Sequence, residues 1–185
     1  MVKAVVVVGA AAPAVTLDLA KEHLAVLHDR TNAKIASNVD AAEEYLEDEF
    51  DMAISEKSYE LVLGGFAPRV ELLPYNATAI ESVKYVDALG VTQTLDAAKY
   101  RLDVGKPGVV VFNDMPEVAD GGTVTIRFKA GWAAADIPKK IQQAILMLVS
   151  TFYDNDSDVV IGRLVSELPL TVERLMWSYR LMRVG

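Results

Sequence analysis

Two histidines and a run of carboxylates are the residues of this chain whose types suit metal binding or acid–base catalysis. The spacing of neither set favours such a site. His23 and His28 are five positions apart on a predicted helix, whereas side chains that share a helical face are three or four apart. They therefore do not form a pair of metal ligands or an acid–base pair. Glu43 and Glu47, at positions i and i+4, offer a cation two ligands at most, whereas calcium takes about six or more. We predict no metal site, no cofactor and no catalytic site.

An N-terminal valine run is the one pattern that favours a nucleotide-binding enzyme. Residues 5–10 (VVVVGA) could be the first strand and turn of a dinucleotide-binding fold, which needs three glycines so that its backbone can approach the pyrophosphate. Ala11 and Ala14 stand where the second and third glycines belong, and Pro13 lies in the turn. We therefore predict that residues 1–14 are an apolar arm or edge strand and that the protein is not an enzyme. A nucleotide- or dinucleotide-binding enzyme remains the alternative.

The composition argues against further classes of protein. The chain has 185 residues, 18 Lys and Arg against 26 Asp and Glu, a net charge of −8 and no cysteine. This length predicts one domain, and the lack of cysteine excludes disulfides and thiolate metal sites. The excess of acid argues against a free-standing nucleic-acid-binding module, because such affinity depends on cations that meet phosphates. No apolar run approaches the roughly 20 residues that span a bilayer, so we predict no membrane partner.

The hydrophobic pattern predicts an α+β fold. Apolar residues at helical spacing predict an N-terminal helix pair and a long third helix, over about residues 16–28, 33–50 and 137–154. Between the second and third helices, alternating residues and Gly-containing turns predict a small antiparallel β-unit over about residues 57–130. The elements together predict a single domain over residues 15–158 and a tail over residues 159–185.

The tail is rich in residue types that dominate protein interfaces. Arg174, Trp177, Tyr179, Arg180 and Arg183 follow one another after a polar break and a proline. Arg, Trp and Tyr are the residues most often found at binding hot spots. Two interpretations are open from these residues alone: a terminal helix folded back on the core, or a docking tail for another protein.

Several short motifs follow one another in order from Val15 to Arg180. They are VTLDLAKEHL at residues 15–24, AAEEYLE at 41–47, LLP at 72–74, IESVKYVDALGV at 80–91, VTIRFKAGW at 124–132, IP at 137–138, AILMLV at 144–149 and PLTVERLMWSYR at 169–180. As an ordered set they resemble the head-to-tail connector (adaptor, or head-completion) proteins of tailed bacteriophages. The chain departs from that family at Asp48–Asp51, where the family often has a Thr-Gly turn, and residues 1–14 do not align with the family pattern.

The resemblance implies a structural virion protein. Members of that family form a ring, usually of twelve identical subunits, beneath the portal protein at a capsid vertex. Such a ring connects the capsid to the tail, extends the DNA exit channel and carries the next tail or stopper protein. The implied location is the capsid–tail neck, after assembly in the cytoplasm of the host bacterium, with only transient, non-specific proximity to DNA. A neighbouring tail-completion protein is a second alternative.

The same resemblance suggests roles for two groups of residues. An acidic helix face could line the channel, because a lining without cations does not grip phosphates; its members are Glu43, Glu44, Glu47, Asp48 and Asp51. The tail could bind the portal protein; its members are Leu170, Val172, Leu175, Met176, Trp177, Tyr179, Arg180 and Arg183. We expect deletion of residues 170–185 to abolish portal binding and to leave the fold intact.

Overall fold

The computed structural model describes residues 5–9, 12–155 and 169–181. The first part of the predicted tail, residues 159–168, and the predicted portal-binding residue Arg183 lie outside these described residues. So do residues 1–4, 10 and 11 of the predicted N-terminal arm.

Contacts within the chain divide it into two compact units. A β-unit holds residues 51–132 together with the strand at Val5–Val8, and a helical unit holds the described residues of 12–50 and 133–180. Both helices and antiparallel sheets are present, so the predicted α+β class is confirmed. The single domain expected over residues 15–158 stays a prediction.

Four helices form the described part of the helical unit. They are α1 (Leu17–His23), α2 (Asn32–Phe50), α3 (Lys139–Asp154) and α4 (Leu170–Met176). Helix α3 is central, because each of the other three contacts it. Its buried side chains are Ile141, Ala144, Ile145, Leu146, Leu148 and Val149. Helix α2 buries the apolar stripe expected from its sequence, which consists of Ile35, Val39, Ala42, Leu46 and Phe50.

Helix α1 is shorter than the sequence predicted, ending at His23 instead of residue 28. Thr16 caps its start as expected, since the Thr16 hydroxyl accepts a hydrogen bond from the Leu19 N–H. At the other end the Val26 N–H donates to the Lys21 carbonyl and the Ala25 N–H to the Glu22 carbonyl, the paired bonds of a Schellman cap. Ala25 takes the left-handed conformation (φ 53°) that glycine usually supplies. Because no glycine marks this stop, the apolar spacing alone predicted too long a helix.

The third helix also begins later than predicted, at Lys139 instead of residue 137. Pro138 immediately precedes it in an extended conformation (φ −57°, ψ 133°), so it lies outside the first helical turn. A proline ring fixes φ but leaves ψ free, and the extended ψ of Pro138 delays the helix start to Lys139.

The β-unit consists of two antiparallel sheets, at the position expected from the alternating pattern. Its remaining strands are β2 (Lys57–Leu63), β3 (Arg69–Glu71), β4 (Ala77–Val86), β5 (Thr92–Thr94), β6 (Tyr100–Asp103), β7 (Val109–Phe112) and β8 (Val124–Ala130). With β1 (Val5–Val8), the five-stranded sheet has the order β1-β2-β8-β4-β5, and the three-stranded sheet has the order β3-β7-β6. Tyr59 and Phe128 stack in the shared core with ring centroids 5.6 Å apart.

The position of β1 contradicts the dinucleotide-binding alternative. Strand β1 pairs antiparallel with β2 at one edge of the five-stranded sheet. A dinucleotide-binding fold instead places its first strand inside a parallel sheet, with a crossover helix that presents its N-terminus to the pyrophosphate. Val5–Val8 thus form an edge strand of the larger sheet, and the apolar arm expected over residues 1–14 as a whole stays a prediction.

Candidate interaction surfaces

One side of α2 forms an acidic face, defined by Glu44, Asp48 and Glu49, whose side chains are all exposed. Glu47 is half-buried on the same helix, and Asp51 is exposed just beyond it in a left-handed conformation (φ 52°). Four of the five residues predicted for this surface are thus at least partly accessible to solvent.

Glu43 does not belong to the acidic face, which corrects the sequence prediction. Its side chain is only 7% exposed, and its Oε2 atom accepts a hydrogen bond from the Ala14 N–H at 3.1 Å. On the other side of the same residue, the Gln142 amide donates to the Ala14 carbonyl at 3.2 Å. Because Glu43 adjoins the apolar stripe at Ala42, it faces inward and ties the segment before α1 to α2. Its role is structural.

The acidic face borders a shallow depression on α2. The depression is lined by Ala41, Glu44, Tyr45, Asp48 and Glu49. Partial burial raises the pKa of the Tyr45 hydroxyl, and the nearby Glu49 carboxylate raises it further. Tyr45 therefore stays neutral, and the negative charge of this surface comes from carboxylates alone.

The predicted portal-binding tail is divided between core and surface. Val172 and Met176 are fully buried on α4, which packs against α3, and Leu175 is half-buried. These two buried residues belong to the core of the helical unit and are not available to a partner in this conformation. Deletion of residues 170–185 would expose the part of α3 that they cover, so the expectation that this deletion leaves the fold intact conflicts with their burial.

The outward side of α4 and the following turn is apolar and aromatic. Leu170 is 71% exposed and Trp177 is 60% exposed, the latter in a 3₁₀ turn over Trp177–Tyr179. Tyr179 is half-buried, and its burial raises the pKa of its hydroxyl. We call Leu170, Trp177 and Arg180 the exposed tail surface.

Arg180 connects the exposed tail surface to the acidic face. Its guanidinium lies 3.7 Å from the Glu49 carboxylate and 3.8 Å from the Glu173 carboxylate. It also lies 5.7 Å from the centre of the Trp177 ring, within range of a cation–π contact. The two groups of residues singled out from the sequence are therefore neighbours. Sequence spacing could not predict this contact, because Glu49 and Arg180 are 131 positions apart.

A third exposed feature is the tip of the β4–β5 hairpin, which is one of the Gly-containing turns of the β-unit. The Asp87 carboxylate accepts hydrogen bonds from the Leu89 and Val91 N–H groups and from the Gln93 amide, at 2.9–3.0 Å. These bonds lower the pKa of Asp87, with the Gln93 bond contributing most. Gly90 supplies the positive φ (80°) that closes the turn. Leu89 projects from it, 88% exposed.

Among the described residues, no three or more His, Asp or Glu side chains come together as a metal site would require. His23 and His28 are both exposed. None of the helices within residues 12–155 and 169–181 is long and apolar enough to cross a membrane.

Comparison with known proteins gives one family and several similar folds. A family model described as "Head completion protein" matches residues 15–180. A chain from "Neck of empty GTA particle computed with C6 symmetry" is similar with a TM-score of 0.83 and 23% identity, over 98% of this chain and 97% of that one. Chains from "Virion of native gene transfer agent (GTA) particle" and "Neck of native GTA particle computed with C12 symmetry" give TM-scores of 0.81 and 0.75 at 22% and 24% identity, with the same coverage. No curated protein matches the sequence.

The neck structures are less than 25% identical to this chain, so they establish the shared fold. The family model covers nearly the whole chain, from the cap of α1 to Arg180. This chain belongs to the head completion protein family, as a structural protein of a phage-like head–tail connector.

Proposed function

We propose that the protein forms a ring in the capsid–tail neck, beneath the portal protein, and extends the channel through which DNA leaves the capsid. The observation that carries this proposal is the family match over residues 15–180. Two of the similar chains come from particle necks that are described with C6 or C12 symmetry, which supports a ring of twelve identical subunits. A ring of this kind would also hold the next tail or stopper protein on its far side.

The acidic face is our candidate for the channel lining. DNA that slides through a conduit must not be held, and phosphate binding comes chiefly from Lys and Arg. Glu44 and Asp48 present carboxylates in place of those cations, in a chain whose net charge is −8. Repulsion between this surface and DNA would keep the contact transient and non-specific. Glu43, which is buried, takes no part.

The exposed tail surface is our candidate for portal binding. Leu170 and Trp177 leave large apolar side chains in solvent, and the Trp177 ring lies beside a guanidinium that is already held by two carboxylates. Trp and Arg side chains of this kind often provide most of the binding energy of an interface. Because Arg180 is positioned before any partner arrives, less side-chain entropy is lost on binding.

Electron microscopy of the protein mixed with its portal protein tests the proposal. We expect an added ring on the portal, with a central channel that continues the portal channel. A ring that binds only isolated tail components would identify the protein as a neighbouring tail-completion protein instead. If the protein forms no ring with the portal protein and none with isolated tail components, the proposed function is wrong.

A further inference from the structure

The edges of the two sheets differ in charge. In the described part of the β-unit, four strands lie at edges: β1 and β5 in the larger sheet, β3 and β6 in the smaller one. Strand β3 carries Arg69 and Glu71, and β6 carries Arg101 and Asp103. Charged residues at an edge oppose pairing with another chain. By contrast, β1 (VVVV) and β5 (TQT) carry no charge.

Both uncharged edges also leave apolar side chains in solvent. On β1, Val5 is 67% exposed and Val8 is 49% exposed. Beside β5, Val91 is 52% exposed, and Leu89 projects from the hairpin tip just before it. An edge that combines free backbone groups with exposed apolar side chains is a template for the addition of another strand.

The direction of the strands decides which edges can meet in a ring. Neighbours in the five-stranded sheet are all antiparallel, so β1 and β5 run in the same direction. Pairing of β1 with a second β1 needs a two-fold axis and stops at two copies. Pairing of β1 with β5 of the next copy uses two different surfaces on opposite edges, so it repeats head to tail and can close a ring.

We propose that neighbouring subunits join their five-stranded sheets, with β1 of one copy pairing in parallel with β5 of the next. This inference rests on the proposed function, because it describes how the ring is held together. The pairing would satisfy backbone groups of both edges and would cover Val5, Val8 and Val91. Charged β3 and β6 would stay outside the contact.

The β4–β5 hairpin is already ordered for this contact. The three hydrogen bonds to the Asp87 carboxylate fix the turn that leads into β5, and the Asp87 N–H donates to the Val91 carbonyl at 2.9 Å. A partner strand would therefore meet a rigid edge, and the entropy lost on association would be smaller than for a mobile loop.

Cysteine cross-linking tests the pairing directly, because the natural chain has no cysteine. Two double variants, Val5→Cys with Thr92→Cys and Val8→Cys with Thr94→Cys, sample neighbouring registers of the parallel pair. Each is assembled with the portal protein, oxidised and separated on a non-reducing gel. We expect a ladder of covalent oligomers larger than dimers from at least one of them, and monomers from each single variant. A matched control, Val5→Cys with Arg101→Cys, places the second thiol on a charged edge and should give no ladder.

Electron microscopy of the same samples before oxidation separates the two proposals. If rings are present and neither double variant forms a ladder, the strand pairing is wrong and the ring stands. If the single Val5→Cys variant forms dimers, β1 pairs with another β1 and the proposal is equally overturned. If no ring is present, the proposed function fails, and the pairing that rests on it fails as well.

Discussion

Helices α2 and α4 both bury apolar side chains against α3, but they present opposite chemistry to solvent. The outward side of α2 carries the carboxylates of the acidic face, which water solvates well. The outward side of α4 and its 3₁₀ turn carries Leu170 and Trp177, and each would gain about 2 kcal/mol from full burial. One scaffold thus supports a surface that is stable in water and a surface that favours a partner.

The largest effect that tests this comparison is expected on the buried side of α4. Met176→Asp places a carboxylate where the native side chain is fully buried, which should lower the free energy of unfolding by about 4 kcal/mol. Met176→Leu nearly conserves volume and should cost less than about 1.5 kcal/mol. Urea denaturation of both variants measures the difference. Equal stability of the two would mean that α4 does not pack on the core in solution.

The outward side of α4 should instead affect binding. Trp177→Ala removes the exposed ring beside Arg180, and we expect portal affinity to fall by about 30-fold, which corresponds to roughly 2 kcal/mol. Stability should change by less than about 0.5 kcal/mol. Titration calorimetry and urea denaturation give the two values.

A matched control for this variant is Leu27→Ala, since Leu27 is 99% exposed in the connection between α1 and α2. It should leave both portal affinity and stability unchanged. Loss of binding in both variants would contradict a specific role for the exposed tail surface.

On α2 the buried side should again affect stability. Glu43→Ala leaves the Ala14 N–H without its carboxylate acceptor, at a cost of about 1–3 kcal/mol. Glu43→Gln keeps an oxygen in the same place and should recover part of that loss. Thermal unfolding of both variants measures it. If Glu43→Ala is as stable as the natural chain, the buried hydrogen bond does not form in solution, and the Glu43 side chain belongs to the acidic face after all.

The smallest effect is expected on the outward side of α2. Glu44 and Asp48 are like charges at positions i and i+4, an arrangement that destabilises a helix by about 0.2–0.5 kcal/mol. Glu44→Gln should therefore stabilise the protein by a few tenths of a kcal/mol, and the gain should shrink at high salt. Urea denaturation at low and high ionic strength detects it. A loss of stability would indicate that Glu44 makes a contact essential to the fold.

The sequence predicted the periodic elements well and their ends less well. The apolar stripes of α2 and α3 and the alternation of β2 and β8 follow directly from repeating burial on one face. The end of α1 at His23 was not predicted, because Ala25 adopts a left-handed conformation that is unusual for alanine. The Glu43 carboxylate was wrongly placed on the solvent side for a similar reason. Helical spacing gives the direction in which a side chain leaves the helix, but the burial of Glu43 depends on the remote segment at Ala14, whose N–H donates a hydrogen bond to it.

Surfaces were the least predictable part of the molecule. The composition of the tail indicated an interface, but which of its residues face α3 depends on how α4 docks, and this separates Met176 from its neighbour Trp177. The contact between Arg180 and Glu49 joins segments that are far apart in sequence. No local pattern could have predicted it.

Gly131, in the sequence AGW at residues 130–132, occupies a backbone position of this fold that only glycine fits. Its φ is 102°, and a Cβ atom there would lie 2.4 Å from the Ser55 carbonyl oxygen, next to the bridge between Ser55 and Trp132. No side chain fits there unless the backbone moves. We therefore expect evolution to retain glycine at this position, whereas one apolar core residue can be substituted by another. In collections of distant sequences, a glycine before an aromatic residue at the end of the last strand should persist where overall identity has faded. A chain that lacks it should also have lost the bridge.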